Sequence, residues 1–169
     1  FEPNRSTYLQ VIQGKTAGLF RFALAAGGTL GGLPSDQVAE LGQVGNALGL
    51  AFQLMDDVLD VEGNTSSLGK DLLVDLREGK LTWPFILACE RDPNFITLLQ
   101  QYVQDSETDE NLSAAEIIDR LKSTGAIADT RKFAEAQGTE ARQLLAGLPV
   151  GATRTAIEAV IDSAIRRKK

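Results

Sequence analysis

The 169-residue sequence contains no histidine, and this absence excludes several classes of enzyme. Catalytic triads built on imidazole, zinc sites with histidine ligands and imidazole acid–base catalysis all need that side chain. Only one cysteine is present, Cys89, so no disulfide can form within the chain. Cys89 closes the apolar run at residues 85–89, and we expect a buried, unreactive thiol there.

The sequence also contains fewer basic than acidic residues, with 17 Lys and Arg and 23 Asp and Glu, which give a net charge of −6. A general affinity for nucleic acid or anionic membranes is therefore not expected. We find neither a signal peptide nor an apolar run of transmembrane length, which predicts a cytoplasmic protein without a membrane span. The first residue is Phe1 and the chain opens inside a helical pattern, which indicates part of a longer protein.

Strand-like alternation is missing, and helical periodicity runs through almost the whole sequence, which predicts an all-α fold. We predict helices at about residues 4–26, 35–61, 82–91, 94–104, 113–124, 126–146 and 153–167, with polar loops at 65–79 and 105–111. Several boundaries rest on turn and capping residues. These are Gly27 and Gly28 after the first helix, Pro84 in the first turn of the third, the Ser113 capping box and Gly125.

Three carboxylates, Asp56, Asp57 and Asp60, close the second predicted helix after a mostly apolar stretch. An ionised carboxylate near a core is costly without a compensating partner, and acids are disfavoured at the C-terminal end of a helix. Asp56 and Asp60 lie one turn apart, where like charges repel. A divalent metal would turn this repulsion into a binding site, although a solvated acidic face fits the same spacing.

Small and polar residues continue the acidic line along the same helix. On the helical wheel, Gly42, Asn46, Gly49 and Gln53 fall with Asp56 and Asp60 within about 40° of one line. A glycine inside a helix costs about 1 kcal/mol relative to alanine. We therefore expect either close packing of another helix at these glycines or open volume beside the acids, in which an elongated ligand could lie.

Three lysines could complement the acids. Lys15 projects from an apolar stripe of the first helix, so its ammonium either reaches solvent or enters a cavity that holds an anion. Lys70 and Lys80 each follow a glycine in the polar loop, which does not have the order of a Walker A motif. Carboxylates for Mg²⁺ and lysines for phosphate oxygens together describe a diphosphate site.

The motifs in their order resemble the second aspartate-rich region of trans-isoprenyl diphosphate synthases, the polyprenyl synthetase family. They are Phe52-Gln53, Asp56-Asp57-Val58-Leu59-Asp60, Gly69-Lys70, Asp75-Leu76, Glu78-Gly79-Lys80 and Thr82-Trp83-Pro84. Upstream, Gly14-Lys15-Thr16-Ala17 is similar to that family's Lys-Thr motif. The motif region spans about residues 8–90, and the C-terminal helices at about 93–169 are compatible but carry no diagnostic residues.

The resemblance implies an isoprenoid synthase-type fold, an all-α bundle around a central cavity, and usually a homodimer. The implied reaction is Mg²⁺-dependent head-to-tail condensation of an allylic diphosphate with isopentenyl diphosphate. The implied metal ligands are Asp56, Asp57 and Asp60, and the diphosphate-binding residues are Lys15, Lys70 and Lys80. Thr16 and Gln53 would face the allylic cation, and Lys15 would assist catalysis beside them.

Two departures from the family pattern qualify the resemblance. Leu73 stands where the family usually has a glycine, which puts the placing of Lys70 in question. The first aspartate-rich motif and the basic residues for isopentenyl diphosphate are missing, so residues 1–169 resemble the C-terminal half of a synthase and are expected to be inactive alone. Two alternatives remain, namely a terpene cyclase of the same fold and a non-catalytic regulatory subunit of a prenyl diphosphate synthase.

Overall fold

The structure is a computed structural model, and it describes residues 2–62, 73–105 and 113–167. These residues form α-helices and one π-helical segment, with no strand among them. The helices are α1 (Arg5–Ile12), α2 (Gly18–Leu30), α3 (Ser35–Glu62), α4 (Val74–Arg77), α5 (Trp83–Arg91), α6 (Phe95–Asp105), α7 (Ala114–Ser123), α8 (Ala126–Ala146) and α9 (Ala152–Arg166). The π-helical segment, Gln13–Ala17, connects α1 to α2. The predicted all-α class is confirmed for the described residues.

Most predicted boundaries are confirmed by capping geometry. Ser113 accepts the backbone N–H of Glu116 at 3.2 Å, and the Glu116 carboxylate accepts the Ser113 N–H at 2.8 Å, which completes the capping box of α7. Gly125 ends α7 with a φ of +72°. Pro84 lies in the first turn of α5, where its missing N–H is not needed.

The predicted end of the first helix at Gly27 and Gly28 is wrong, because α2 continues to Leu30. Gly28 is buried inside the helix, where a Cβ atom would lie 2.8 Å from a methyl group of Leu41 on α3. The absence of a side chain at Gly28 therefore allows α2 and α3 to approach each other closely. The helix ends instead at Leu30, two residues before Gly32, whose φ is +76°.

Two backbone hydrogen bonds complete this end of α2. The Leu33 N–H reaches the Gly28 carbonyl at 3.0 Å, and the Gly32 N–H reaches the Thr29 carbonyl at 3.1 Å. This is the Schellman arrangement, in which a glycine adopts the left-handed conformation just after a helix.

The predicted loop at residues 65–79 is wrong at residues 74–77, whereas residues 73, 78 and 79 lie outside any helix as predicted. Residues 65–72 lie outside the described residues, whereas Val74–Arg77 form the short helix α4. Leu76 is fully buried, so its burial favours a compact turn of helix over an open loop.

The described residues divide into two compact units, the first from residues 1–8 and 56–131 and the second from residues 9–55 and 132–168. The core of the second unit contains apolar residues of α3, α8 and α9 together with Leu148, which follows α8. They are Leu41, Val44, Ala47, Leu48, Ala141, Leu145, Leu148, Ile161 and Ala164. Their spacing of three and four residues places them on one face of each helix.

Glycines let α3 approach its neighbours closely in this second unit. A Cβ atom at Gly45 would lie 2.5 Å from the Phe20 carbonyl oxygen, and one at Gly49 would lie 2.5 Å from the Ala17 Cα. No side chain fits at these distances from backbone atoms. The close packing that the sequence left as one of two possibilities is therefore present at Gly49.

The first unit has its own apolar core. Phe85 and Phe95 are buried and stack at 6.4 Å between ring centroids, and Ile117 and Leu121 of α7 are fully buried. Cys89 is buried as predicted, and burial raises the pKa of its thiol to about 11. None of the described helices combines the length and the apolar character that crossing a bilayer requires.

Candidate functional site

The Lys-Thr pair lies in the π-helical segment between α1 and α2. The Gly18 N–H bonds the carbonyl of Gln13, five residues earlier, which widens this turn of the helix. Single π-turns of this kind occur frequently at functional sites. Lys15 is exposed and forms no ion pair with any residue that the structure describes.

The structure brings together Thr16 and Gln53, which the resemblance assigns to one task. The Thr16 hydroxyl donates a hydrogen bond of 2.9 Å to Oε1 of Gln53, and both side chains are partly buried. This contact is possible because Gly49, one turn earlier on α3, lets the helix approach Ala17. It fixes the orientation of the Gln53 amide.

Exchanging Thr16 for valine tests this hydrogen bond. We expect Thr16→Val to lower the free energy of unfolding by about 1 kcal/mol, because the partly buried Oε1 of Gln53 loses this donor. Thr16→Ser retains the hydroxyl and serves as the matched control. The measurement is chemical denaturation of both variants, and equal stability of the two would show that the hydrogen bond contributes nothing.

The three aspartates differ in their surroundings. Asp56 is exposed, Asp60 is half-buried one turn further along α3, and Asp57 is buried with 1% of its surface exposed. Across residues 2–62, 73–105 and 113–167, no three Asp, Glu or Cys side chains converge into a ready-made metal site. The aspartates therefore do not meet as a group of three.

Asp57 has hydrogen-bond donors inside the protein. Its Oδ2 accepts the hydroxyl of Tyr8, on α1, and the backbone N–H of Trp83 at 3.3 Å. Burial and then the negative charge of Asp57 raise the pKa of Tyr8 above its ordinary value. The Tyr8 hydroxyl consequently stays protonated and donates to the carboxylate.

The remaining pair of carboxylates suits magnesium. Mg²⁺ keeps several waters and is usually held by one or two carboxylates together with phosphate oxygens. Asp56 and Asp60 supply two carboxylates on one face of α3, close to the end of the helix. The donor set therefore fits a cation that is shared with a bound diphosphate, and it does not form an all-protein cage.

The structure describes one of the two loop lysines. Lys70 lies outside the described residues. Lys80 is exposed and forms ion pairs with Glu78 and, at 3.4 Å, with Asp75. The hydrogen bond to Glu78 raises the pKa of Lys80, so its ammonium carries a full charge at neutral pH.

Leu73 departs from the family pattern at a position with an unusual backbone. Its φ of +62° and ψ of +33° are left-handed, a conformation that glycine adopts without strain. Leu73 is the one described residue other than glycine with a positive φ. Its side chain is fully buried, so apolar burial offsets the strain of about 1–2 kcal/mol.

Part of the polar line on α3 faces open space. Gly42 and Asn46 border a groove of about 670 Å³ within the second unit, together with Arg21 of α2 and Glu140 of α8. Close packing is thus present at Gly49, whereas this open volume lies beside Gly42 and Asn46 and not beside the acids.

Sequence reasoning missed the partners of Asp57. No role was predicted for Tyr8, and Trp83 was named only as part of a motif. A helical wheel carried the signal, because Leu50 and Val61 lie within about 40° of Asp57 and both are buried. Asp57 therefore shares the inner face of α3, and a buried donor was to be expected for it.

Comparison with known proteins identifies the family of this chain. A model of the polyprenyl synthetase family matches residues 2–120. The chain belongs to this family. The nonaprenyl diphosphate synthase of Mycobacterium tuberculosis is 30% identical over 161 residues, which cover 95% of this chain and 48% of that protein. The octaprenyl diphosphate synthase of Escherichia coli is 31% identical over 163 residues, or 96% of this chain and 50% of that protein.

The fold agrees with this membership. The crystal structure of polyprenyl synthase from Caulobacter crescentus, complexed with calcium and isoprenyl diphosphate, matches with a TM-score of 0.84 and 33% identity. The match covers 98% of this chain and 51% of that one. The chain thus has the fold of the isoprenyl synthases, and it spans about half the length of the relatives that it matches.

Proposed function

We propose that this chain supplies the diphosphate-binding half of a prenyltransferase that makes linear polyprenyl diphosphates. Its substrates would be an allylic diphosphate and isopentenyl diphosphate, joined head to tail. The observation that carries the proposal is the pair Asp56 and Asp60 on one face of α3, in a chain whose residues 2–120 match the polyprenyl synthetase family.

Each described residue has a proposed task in the ionisation of the allylic diphosphate. Asp56 and Asp60 would hold magnesium, which when bound supplies the positive charge that stabilises the departing diphosphate. Thr16 and Gln53 would present oxygen dipoles to the allylic cation. The Thr16 hydroxyl donates its proton to Oε1 of Gln53 at 2.9 Å, so the lone pairs of the hydroxyl oxygen remain available to a neighbouring cation.

The resemblance assigns further properties that stay predictions. They are the roles of Lys15, Lys70 and Lys80, the homodimer, the cytoplasmic location and the need for a separate N-terminal half of the domain. The division of the chain into a motif region at about residues 8–90 and C-terminal helices at about residues 93–169 also stays a prediction.

An activity assay on the chain by itself tests the proposal. With Mg²⁺, an allylic diphosphate and isopentenyl diphosphate, we expect Mg²⁺-dependent binding of the allylic diphosphate without an elongated product. The reason is that the sequence contains one aspartate-rich motif, whereas the proposed reaction binds two diphosphates. Elongated product from the chain alone would contradict the need for another half, and absence of diphosphate binding would contradict the proposed function.

A further inference from the structure

The carboxylate of Asp57 contacts residues of two other helices, Tyr8 and Trp83, which belong to the same compact unit. Its Oδ2 accepts hydrogen bonds from the Tyr8 hydroxyl of α1 and from the backbone N–H of Trp83, the first residue of α5. Tyr8 is 9% exposed and Asp57 is 1% exposed, so both contacts are shielded from water. One oxygen atom therefore connects α3 to α1 and to α5.

Aromatic and ionic contacts support the two donors. The rings of Tyr8 and Trp83 pack at 5.3 Å between centroids and at an angle of 47°. The guanidinium of Arg5 lies 5.6 Å above the Trp83 ring and donates to Glu90 at 2.8 and 3.0 Å. Exposed ion pairs contribute little by themselves, but this one holds Arg5 over the indole.

This anchoring sets the direction of the neighbouring acids. Successive residues of an α-helix are turned by about 100°, so Asp56 and Asp60 lie about 100° and 60° to the same side of Asp57. Because Asp57 is held inside the protein by two hydrogen bonds, this end of α3 resists rotation about its axis, and both neighbours stay on one side of the helix. Rotation of the helix would move their carboxylates away from a shared ligand.

We propose that Asp57 is a positioning residue of the diphosphate site, held by Tyr8 and Trp83, and that it orients Asp56 and Asp60 without binding magnesium itself. The inference rests on the proposed function, because it concerns the same site. A metal on Oδ2 would compete with both hydrogen bonds, and with 1% of its surface exposed Asp57 leaves little room for a Mg²⁺ ion that keeps several of its waters. The structure thus assigns the three aspartates two different roles.

Calorimetric titration of inorganic pyrophosphate into the chain, in excess Mg²⁺, separates these roles. We expect Asp56→Asn to weaken binding by about a hundredfold or more. The loss of affinity in Asp57→Asn should be at least tenfold smaller than that in Asp56→Asn, because one amide oxygen can accept both hydrogen bonds. Tyr8→Phe removes a donor to Asp57 and is expected to weaken binding about tenfold. Asp57→Ala removes the acceptor and should weaken binding more than Asp57→Asn.

Tyr102→Phe is the matched control. Tyr102 is also buried, and its hydroxyl accepts a hydrogen bond from Arg77 at 3.3 Å. Thermal unfolding should show a lower Tm for both phenylalanine variants, whereas the dissociation constant for pyrophosphate should change in Tyr8→Phe alone. A merely structural role of Tyr8 would lower Tm without this change in affinity.

Two results overturn the inference while the proposed function stands. The first is a loss of affinity in Asp57→Asn as large as that in Asp56→Asn, which would make Asp57 a ligand. The second is equal affinity of Tyr8→Phe and Tyr102→Phe, which decides the question even if Asp57→Asn does not fold. If the unsubstituted chain binds no pyrophosphate with Mg²⁺, the proposed function fails and the inference fails with it.

Discussion

Replacing Asp56 by asparagine is expected to abolish most of the Mg²⁺-dependent affinity of the chain for pyrophosphate, a loss of about a hundredfold or about 2.7 kcal/mol. Asp56 is exposed, shares one face of α3 with Asp60, and carries half of the negative charge of the proposed magnesium site. An amide has the same shape, but it lacks the charge that draws a hard divalent cation.

The control for this exchange removes an equal charge from the same helix. Asp36 is exposed in the first turn of α3, far along the helix from the proposed site. Asp36→Asn should bind pyrophosphate with unchanged affinity in the same titration. Equal affinity of the Asp56→Asn variant and the unsubstituted chain would mean that the carboxylates at the end of α3 are a solvated face.

Replacing Gly49 by alanine is expected to lower the free energy of unfolding by about 3 kcal/mol, the upper end of what overpacking usually costs. The added Cβ would lie 2.5 Å from the Cα of Ala17, and a backbone atom cannot move aside as the end of a side chain can. The helix α3 would have to withdraw from the π-helical segment. That movement would also break the hydrogen bond between Thr16 and Gln53.

Gly27→Ala is the matched control for this prediction. Gly27 also lies inside a helix, but nothing lies within 4 Å of a Cβ atom placed there. Alanine is the better helix former by about 1 kcal/mol, so this variant should be more stable than the unsubstituted chain. Urea denaturation measures both changes, and a Gly49→Ala variant as stable as Gly27→Ala would contradict the close packing of α3.

Local patterns in the sequence were sufficient for most of the helices. The capping box at Ser113, Pro84 at the start of α5 and the left-handed Gly125 all have local causes, so their positions could be predicted. Gly28 was misassigned as a helix end because its purpose is contact with Leu41, which is distant in sequence. Tertiary packing of this kind cannot be read from the chain one segment at a time.

In the candidate site, too, local features could be predicted from the sequence and tertiary contacts could not. The types of residue and their spacing predicted a pair of carboxylates on one face of α3, and the order of motifs indicated the family that the comparisons establish. The separate environment of Asp57 depends on Tyr8 and Trp83, which are 49 and 26 residues away. The π-helical turn at Lys15 has no sequence signal that we recognise, and its last residue, Ala17, lies against Gly49 of α3.

The most direct test of the account uses Mn²⁺ in place of Mg²⁺ and records the broadening of backbone amide signals by nuclear magnetic resonance. With inorganic pyrophosphate present, we predict that substoichiometric Mn²⁺ broadens the signals of residues 54–62 first, while that of Asp36 stays sharp. Strongest broadening at another acidic stretch, such as residues 105–110, with the signals around Asp56 and Asp60 unaffected, would contradict the claim that these two carboxylates hold a metal against a diphosphate.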